Sequence, residues 1–94
     1  LKSISVAIVG ATGLVGREMI RVLEESGLEV KELFPAASDK SLGKTVFFNG
    51  NEFKIISIQD AVDARPDIAL FSAGSDVSKQ WAPEFASAGT TVID

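Results

Sequence analysis

Ile4-Ser5-Val6-Ala7-Ile8-Val9-Gly10-Ala11-Thr12-Gly13-Leu14-Val15-Gly16-Arg17-Glu18 is the stretch that decides the fold. Residues 4–9 are apolar at every position but Ser5 and rich in β-branched side chains. That composition belongs to a strand covered on both faces, as in a parallel sheet. Gly10, Gly13 and Gly16 then follow at intervals of three. From Val15 onward, Met19, Ile20, Val22 and Leu23 recur at helical spacing, and Arg17, Glu18, Arg21, Glu24 and Glu25 take the opposite face. A strand that passes through glycines into an amphipathic helix leaves the first N–H groups of that helix open, and such an end receives anions.

Each glycine has a separate task in this reading. Gly10 permits the tight turn, Gly13 lets the backbone approach a pyrophosphate, and Gly16 lets the helix lie close on the strand. Thr12 adds a hydroxyl donor, and the whole turn, Gly10, Ala11, Thr12, Gly13, Leu14, Val15 and Gly16, forms the candidate pyrophosphate cradle. The spacing departs from the commoner G-x-G-x-x-G. The plain alternative is a glycine-rich turn kept for packing alone.

The remaining chain continues an alternating α/β pattern. Ser26-Gly27 ends the first helix, with Gly27 in the left-handed cap. Residues 30–37 form the next strand, and Pro35 requires an irregularity near its C-terminal end because proline has no ladder donor. Residues 45–48 and 52–56 read as two extended runs about Asn49-Gly50, a hairpin turn. Residues 57–64 read as a turn or brief helix begun near Ser57 or Asp60. Residues 68–71 are a second fully apolar run, hence another buried strand. Residues 76–88 read as a helix with Val77, Trp81, Phe85 and Ala86 inward, where Pro83 implies a kink or a short first turn. Gly89 caps it, and residues 90–93 form a last strand before Asp94. The expected architecture is a doubly wound, mostly parallel Rossmann-like α/β sheet with a β-hairpin insertion, incomplete within residues 1–94, so that the chain reads as the N-terminal portion of a dinucleotide-binding domain.

Composition narrows the chemistry. The chain has 94 residues and is 46% apolar and 23% charged, enough to form a core. Its net charge of −4 argues against non-specific nucleic-acid binding. It has no cysteine and no histidine, which excludes disulfides, thiolate chemistry and the commonest general base from this stretch. No apolar run reaches the length of a membrane span or a signal sequence, and a soluble cytoplasmic protein is expected. There is no internal repeat.

Two further clusters fall at strand ends, where open parallel sheets bind ligands. Ser38, Asp39, Lys40 and Ser41 follow the second strand, where the adenosine ribose of a dinucleotide lies. Lys40 offers a charge and the two serines offer donors to a 2′-phosphate, which favours NADP over NAD; Asp39 would have to point away. An ordinary solvated loop is the alternative. Ser72, Ala73 and Gly74 follow the apolar run 68–71 and leave room for a cofactor crossing the sheet. Glu24-Glu25 and Asp60-Asp63 read as solvated faces, and Trp81 and the phenylalanines as core.

With these residues in view, the sequence resembles the N-terminal segment of the aspartate-β-semialdehyde dehydrogenase family. The resemblance rests on Val6-Ala7-Ile8-Val9-Gly10-Ala11-Thr12-Gly13-Leu14-Val15-Gly16, on Ala37-Ser38-Asp39-Lys40-Ser41-Leu42-Gly43-Lys44 and on Asp67-Ile68-Ala69-Leu70-Phe71-Ser72-Ala73-Gly74. It implies reductive dephosphorylation of β-aspartyl phosphate to aspartate semialdehyde with NADPH, on the route to lysine, threonine and methionine. It assigns the glycine turn to the pyrophosphate, Ser38, Lys40 and Ser41 to the 2′-phosphate, and Ser72-Ala73-Gly74 to another cofactor contact. The family's loop usually reads serine, any residue, arginine, serine; lysine at position 40 keeps the charge and loses the bidentate fork. The resemblance also implies that the catalytic cysteine, the histidine and the substrate arginines lie beyond this chain, and that the parent protein is a homodimer or homotetramer. N-acetyl-γ-glutamyl-phosphate reductase and a non-catalytic dinucleotide-binding module are the rival readings.

Overall fold

The structure is a computed structural model that describes residues 3–93; Asp94, expected to follow the last strand, lies outside the described residues. The element order is β1 (Ile4–Val9), α1 (Leu14–Glu25), β2 (Val30–Ala36), a single 3₁₀ turn (Asp39–Ser41), β3 (Thr45–Phe48), β4 (Asn51–Lys54), α2 (Ile58–Asp63), β5 (Ile68–Phe71), α3 (Ser75–Ser87) and β6 (Thr91–Ile93). Four strands form a parallel sheet in the order β2-β1-β5-β6, and β3 and β4 form a separate antiparallel hairpin.

β1 lies inside this sheet, and every residue from Ser5 to Val9 is buried. Its side chains alternate between two cores, as strand geometry requires. Val6 and Ile8 meet Ile20 and Leu23 of α1 and Val46 and Phe48 of the hairpin on one face. Ala7 and Val9 meet Ala61 and Val62 of α2 and Phe85 of α3 on the other. The sheet is therefore wound on both sides. Phe71 and Phe85 close the second core edge to face, with ring centroids 5.7 Å apart.

Pro35 fits within β2. The Ile56 N–H donates to the Pro35 carbonyl (2.9 Å), and the Ala37 N–H donates to the Ile56 carbonyl (3.2 Å). The N and C=O of a strand residue point the same way, so the missing donor of Pro35 faces this outer side and costs β1 no ladder bond. Ile56 thus touches β2 through an isolated bridge to Ala36, and β4 ends at Lys54. α2 is a true helix, with the Asp60 N–H donating to the Ser57 hydroxyl at its start (3.0 Å).

α3 continues through Pro83, whose side of the helix is exposed. Ala86, expected to face inward, is exposed; Ala82 and Ala88 pack against the core with Val77, Trp81 and Phe85. No helix among the described residues is long and apolar enough to cross a membrane.

Candidate functional site

From β1 the chain passes to β2 on one side, while β5 pairs with β1 on the other, so the strand order reverses beside β1. In open parallel sheets, the C-terminal ends of the strands at such a reversal form a crevice for ligands. A cleft of about 280 Å³ lies there, reached by Gly10, Thr12 and Gly13 after β1, Ser38 after β2, and Ser72 and Ala73 after β5. All three predicted clusters therefore reach one end of the sheet.

The turn after β1 is held from both neighbouring strands. The N–H groups of Gly10 and Ala11 both donate to the Ala36 carbonyl of β2, at 2.8 and 3.1 Å. From the β5 side, the Ser72 N–H donates to the Val9 carbonyl (2.9 Å), and the Ser72 hydroxyl lies 3.0 Å from the Val9 and Gly10 carbonyls. Gly10 has φ +91°, and a Cβ there would come within 2.9 Å of the Ala73 nitrogen. A side chain at Gly16 would drive into the Gly10 carbonyl and come within 2.9 Å of Ala11 Cα. Those two glycines are required by the turn and by the approach of α1 to it.

Gly13 differs. It is the N-cap of α1, with φ −76° and ψ 170°, a backbone conformation open to any residue. A Cβ there would meet only the Gly10 carbonyl, at an ordinary 3.6 Å. Among the described residues, none requires glycine at this position. Beyond it, the first α-helical bond joins the Arg17 N–H to the Gly13 carbonyl (3.0 Å), so the N–H groups of Leu14, Val15 and Gly16 precede that ladder. No side chain caps this end, and its first turn holds no acidic residue. The positive end of the helix dipole is thus uncapped, an arrangement that favours anions.

Ser38 lines the cleft and is exposed, and Asp39 and Lys40, next along the loop, are exposed as well. Ser41 is buried, and its Oγ lies 3.1 Å from Thr12 Oγ1. Ser72 is tied to the turn, Ala73 sits beside Gly10, and Gly74 is the N-cap of α3 with no side-chain cap bond. Ile58, which the sequence reading left unassigned, and Val77, which it read only as an inward residue of its helix, add apolar walls to the cleft. Their signal was available: each lies in the first turn of a helix that starts just beyond this end of the sheet.

A second cleft of about 280 Å³ lies between α1 and β3, with Arg17, Arg21, Glu24 and Phe47 on its walls. It lacks the glycine turn and the open helix end. Arg21 there is already engaged by Glu18 and Glu25. Among the described residues, no group of three or more potential acidic, histidine or cysteine ligands could hold a metal ion.

An open helix N-terminus at the strand-order reversal of a doubly wound parallel sheet defines a dinucleotide-binding domain of the Rossmann type. Residues 5–94 match the family model described as semialdehyde dehydrogenase, NAD binding domain, and the chain belongs to that family. An aspartate-semialdehyde dehydrogenase from Legionella pneumophila is 45% identical over 93 residues, covering 99% of this chain and 27% of the relative. The crystal structure of aspartate semialdehyde dehydrogenase II complexed with ASA, from Vibrio cholerae, superposes with a TM-score of 0.94 at 46% identity, covering 99% of this chain and 30% of that one. The aspartate semialdehyde dehydrogenase with NADP from Candida albicans shares the fold at 20% identity, with a TM-score of 0.75 over 97% of this chain and 29% of that one. The chain thus spans under a third of the length of these proteins.

Proposed function

We propose that the full-length protein carrying this chain is an NADP-dependent aspartate-semialdehyde dehydrogenase. In this reading it reduces β-aspartyl phosphate to aspartate semialdehyde with release of phosphate, on the route to lysine, threonine and methionine. Residues 1–94 supply cofactor binding in a soluble cytoplasmic homodimer or homotetramer. The observation that carries the cofactor assignment is Gly13, which no described residue requires to be glycine, at the uncapped start of α1.

The residues present fit a dinucleotide. The N–H groups at the start of α1 would receive the pyrophosphate, Ile58 and Val77 would flank the adenine, and Ser38 and Lys40 would meet the 2′-phosphate. Bound in this way, the cofactor supplies a hydride. The chain holds neither cysteine nor histidine. The thiolate and the acid/base that acyl-phosphate reduction calls for therefore belong to another part of the protein.

The test is the reverse reaction of the full-length protein, with aspartate semialdehyde, phosphate and NADP, followed by the absorbance of the reduced nicotinamide. NADPH formation is expected. Activity only on the N-acetylglutamyl analogue would assign the rival reductase, and binding without turnover of either substrate would assign a non-catalytic module. Lys40→Ala separates the two cofactors. It is expected to weaken NADP by about tenfold or more and NAD hardly at all, because only NADP places an anion beside it. Equal losses would remove the 2′-phosphate role.

A further inference from the structure

We infer that Thr12, a residue of the glycine turn, positions the 2′-phosphate site, and that it does so through Ser41. This rests on the dinucleotide reading above and concerns how its two phosphate sites are joined. Segment 37–44 leaves the protein body and returns to it through backbone bonds. The Ala37 N–H donates to the Ile56 carbonyl (3.2 Å), and the Ile55 N–H donates to the Lys44 carbonyl (2.8 Å). Between these anchors, the hydrogen bond that the described residues show from the loop to the glycine turn is the one joining Thr12 Oγ1 and Ser41 Oγ, 3.1 Å apart.

The loop is otherwise built from its own backbone. The Ser41 N–H donates to the Ser38 carbonyl (2.9 Å), and the Lys44 N–H donates to the Ser41 carbonyl (3.1 Å). The Ser38 side chain makes no capping bond, and Ser38 and Lys40 both face solvent. Ser41 is 9% exposed. It is the buried pin of a turn whose other polar groups reach outward, and Thr12 holds that pin. Loss of the Thr12 hydroxyl leaves Ser38 and Lys40 in place chemically but frees the turn that presents them. It also leaves the Ser41 hydroxyl without its partner in a buried position.

The consequence differs from that of a pyrophosphate contact. Losing a hydroxyl that acts only on the pyrophosphate weakens NAD and NADP alike and has no effect on a ligand without that group. A hydroxyl acting through Ser41 changes the binding of adenosine 2′-phosphate, which carries no pyrophosphate.

The experiment measures adenosine 2′-phosphate, NADP and NAD binding to the full-length protein and to Thr12→Val, Thr12→Ser, Ser41→Ala and the Thr12→Val/Ser41→Ala double variant. Thr12→Val is expected to weaken adenosine 2′-phosphate by about three- to tenfold, the scale of one hydrogen bond. It should lower the NADP-to-NAD preference in the same proportion. Thr12→Ser should restore both, and the Thr12→Val loss should vanish in the Ser41→Ala background. Unchanged adenosine 2′-phosphate binding in Thr12→Val, or additive losses in the double variant, would overturn the inference while leaving the dinucleotide reading intact. Failure of the unmodified protein to bind NADP or adenosine 2′-phosphate while it binds NAD would remove the inference alone, and failure to bind any of the three ligands would remove the dinucleotide reading with it. Should valine at position 12 prevent folding, Thr12→Ala takes its place in the same cycle, with the same outcomes deciding.

Discussion

Gly13 and Gly16 are three residues apart and lack side chains for opposite reasons. At Gly16 the protein itself occupies the space, since a Cβ would strike the Gly10 carbonyl and Ala11. At Gly13 the space is open. Gly16→Ala is therefore expected to destabilise the full-length protein by about 1–3 kcal/mol, because backbone must shift to admit the methyl group. Gly13→Ala should change stability by less than about 1 kcal/mol, a weaker N-cap being offset by a less flexible unfolded chain. It should nevertheless weaken dinucleotide binding. Thermal denaturation together with NADP titration checks both, and a Gly13→Ala variant that binds normally would remove the close approach of phosphate to that position. The turn was legible in sequence because its signal is local: three glycines between a β-branched run and an amphipathic one. The contacts that fix it were not. Ser72 clamps Val9 and Gly10 from about sixty positions away (|i−j| of 63 and 62), and Ser41 meets Thr12 from 29 away. Nothing in the spacing of small polar residues marks which hydroxyl is free and which is engaged.

Each helix in this chain reflects a different balance of local rules and packing. α3 carries Pro83, which cannot donate to the Lys79 carbonyl, yet the helix persists to Ser87. Burial of Phe85 against the second core, with Trp81 and Ala82 packed beside it, outweighs the lost bond. The Pro83 signal in the sequence was real; its outcome depended on tertiary contacts that local rules do not contain. β2 poses the same question and resolves it differently, because the missing donor of Pro35 happens to face the sheet's outer side. α3 also buries Ser78, whose hydroxyl has no partner among the described residues. Ser78→Ala removes an unsatisfied polar atom and improves helix propensity, and is expected to raise stability by about 1 kcal/mol. A lower melting temperature for that variant would show that the hydroxyl has a partner in solution. In α1, Arg21 bridges Glu18 and Glu25 on the solvent side. Its guanidinium, hydrogen-bonded to Glu18, holds that carboxyl below its ordinary value of 4.5. A carboxyl depressed in the folded state stabilises at pH above its unfolded value, and that contribution disappears as pH falls through the folded value. Glu18→Gln should therefore lower the melting temperature only slightly at neutral pH, because the pair lies on the solvent side. The difference should close as the pH falls below 4.5. A difference independent of pH would mean that the charge plays no part.

At the scale of the whole molecule, the two faces of the sheet are unequally covered. α2 and α3 close one face, while α1 and the hairpin cover the other mainly over β1 and β2. Ile8 pairs with Leu70 and Leu70 with Ile93, so Leu70 and Ile93 share the α1 side of the sheet. Beside them α1 exposes Val15 and Val22, and a cleft of about 210 Å³ runs between Val15, Met19, Val22 and Leu70. Val22 is 54% and Ile93 49% exposed, so neither contributes much to the cores described above. A contiguous apolar surface of this kind attracts other apolar groups. Residues 1–94 produced alone are therefore expected to bind an apolar fluorescent dye and to associate as concentration rises. Val22→Lys together with Ile93→Lys should suppress both effects, while the circular dichroism of the chain stays unchanged because the substituted positions are half exposed. Dye binding that survives the double substitution would place the sticky surface elsewhere, with the exposed Phe47 of β3 as the next position to change. A collapse of the helical signal would instead show that Val22 and Ile93 support the fold more than their exposure implies.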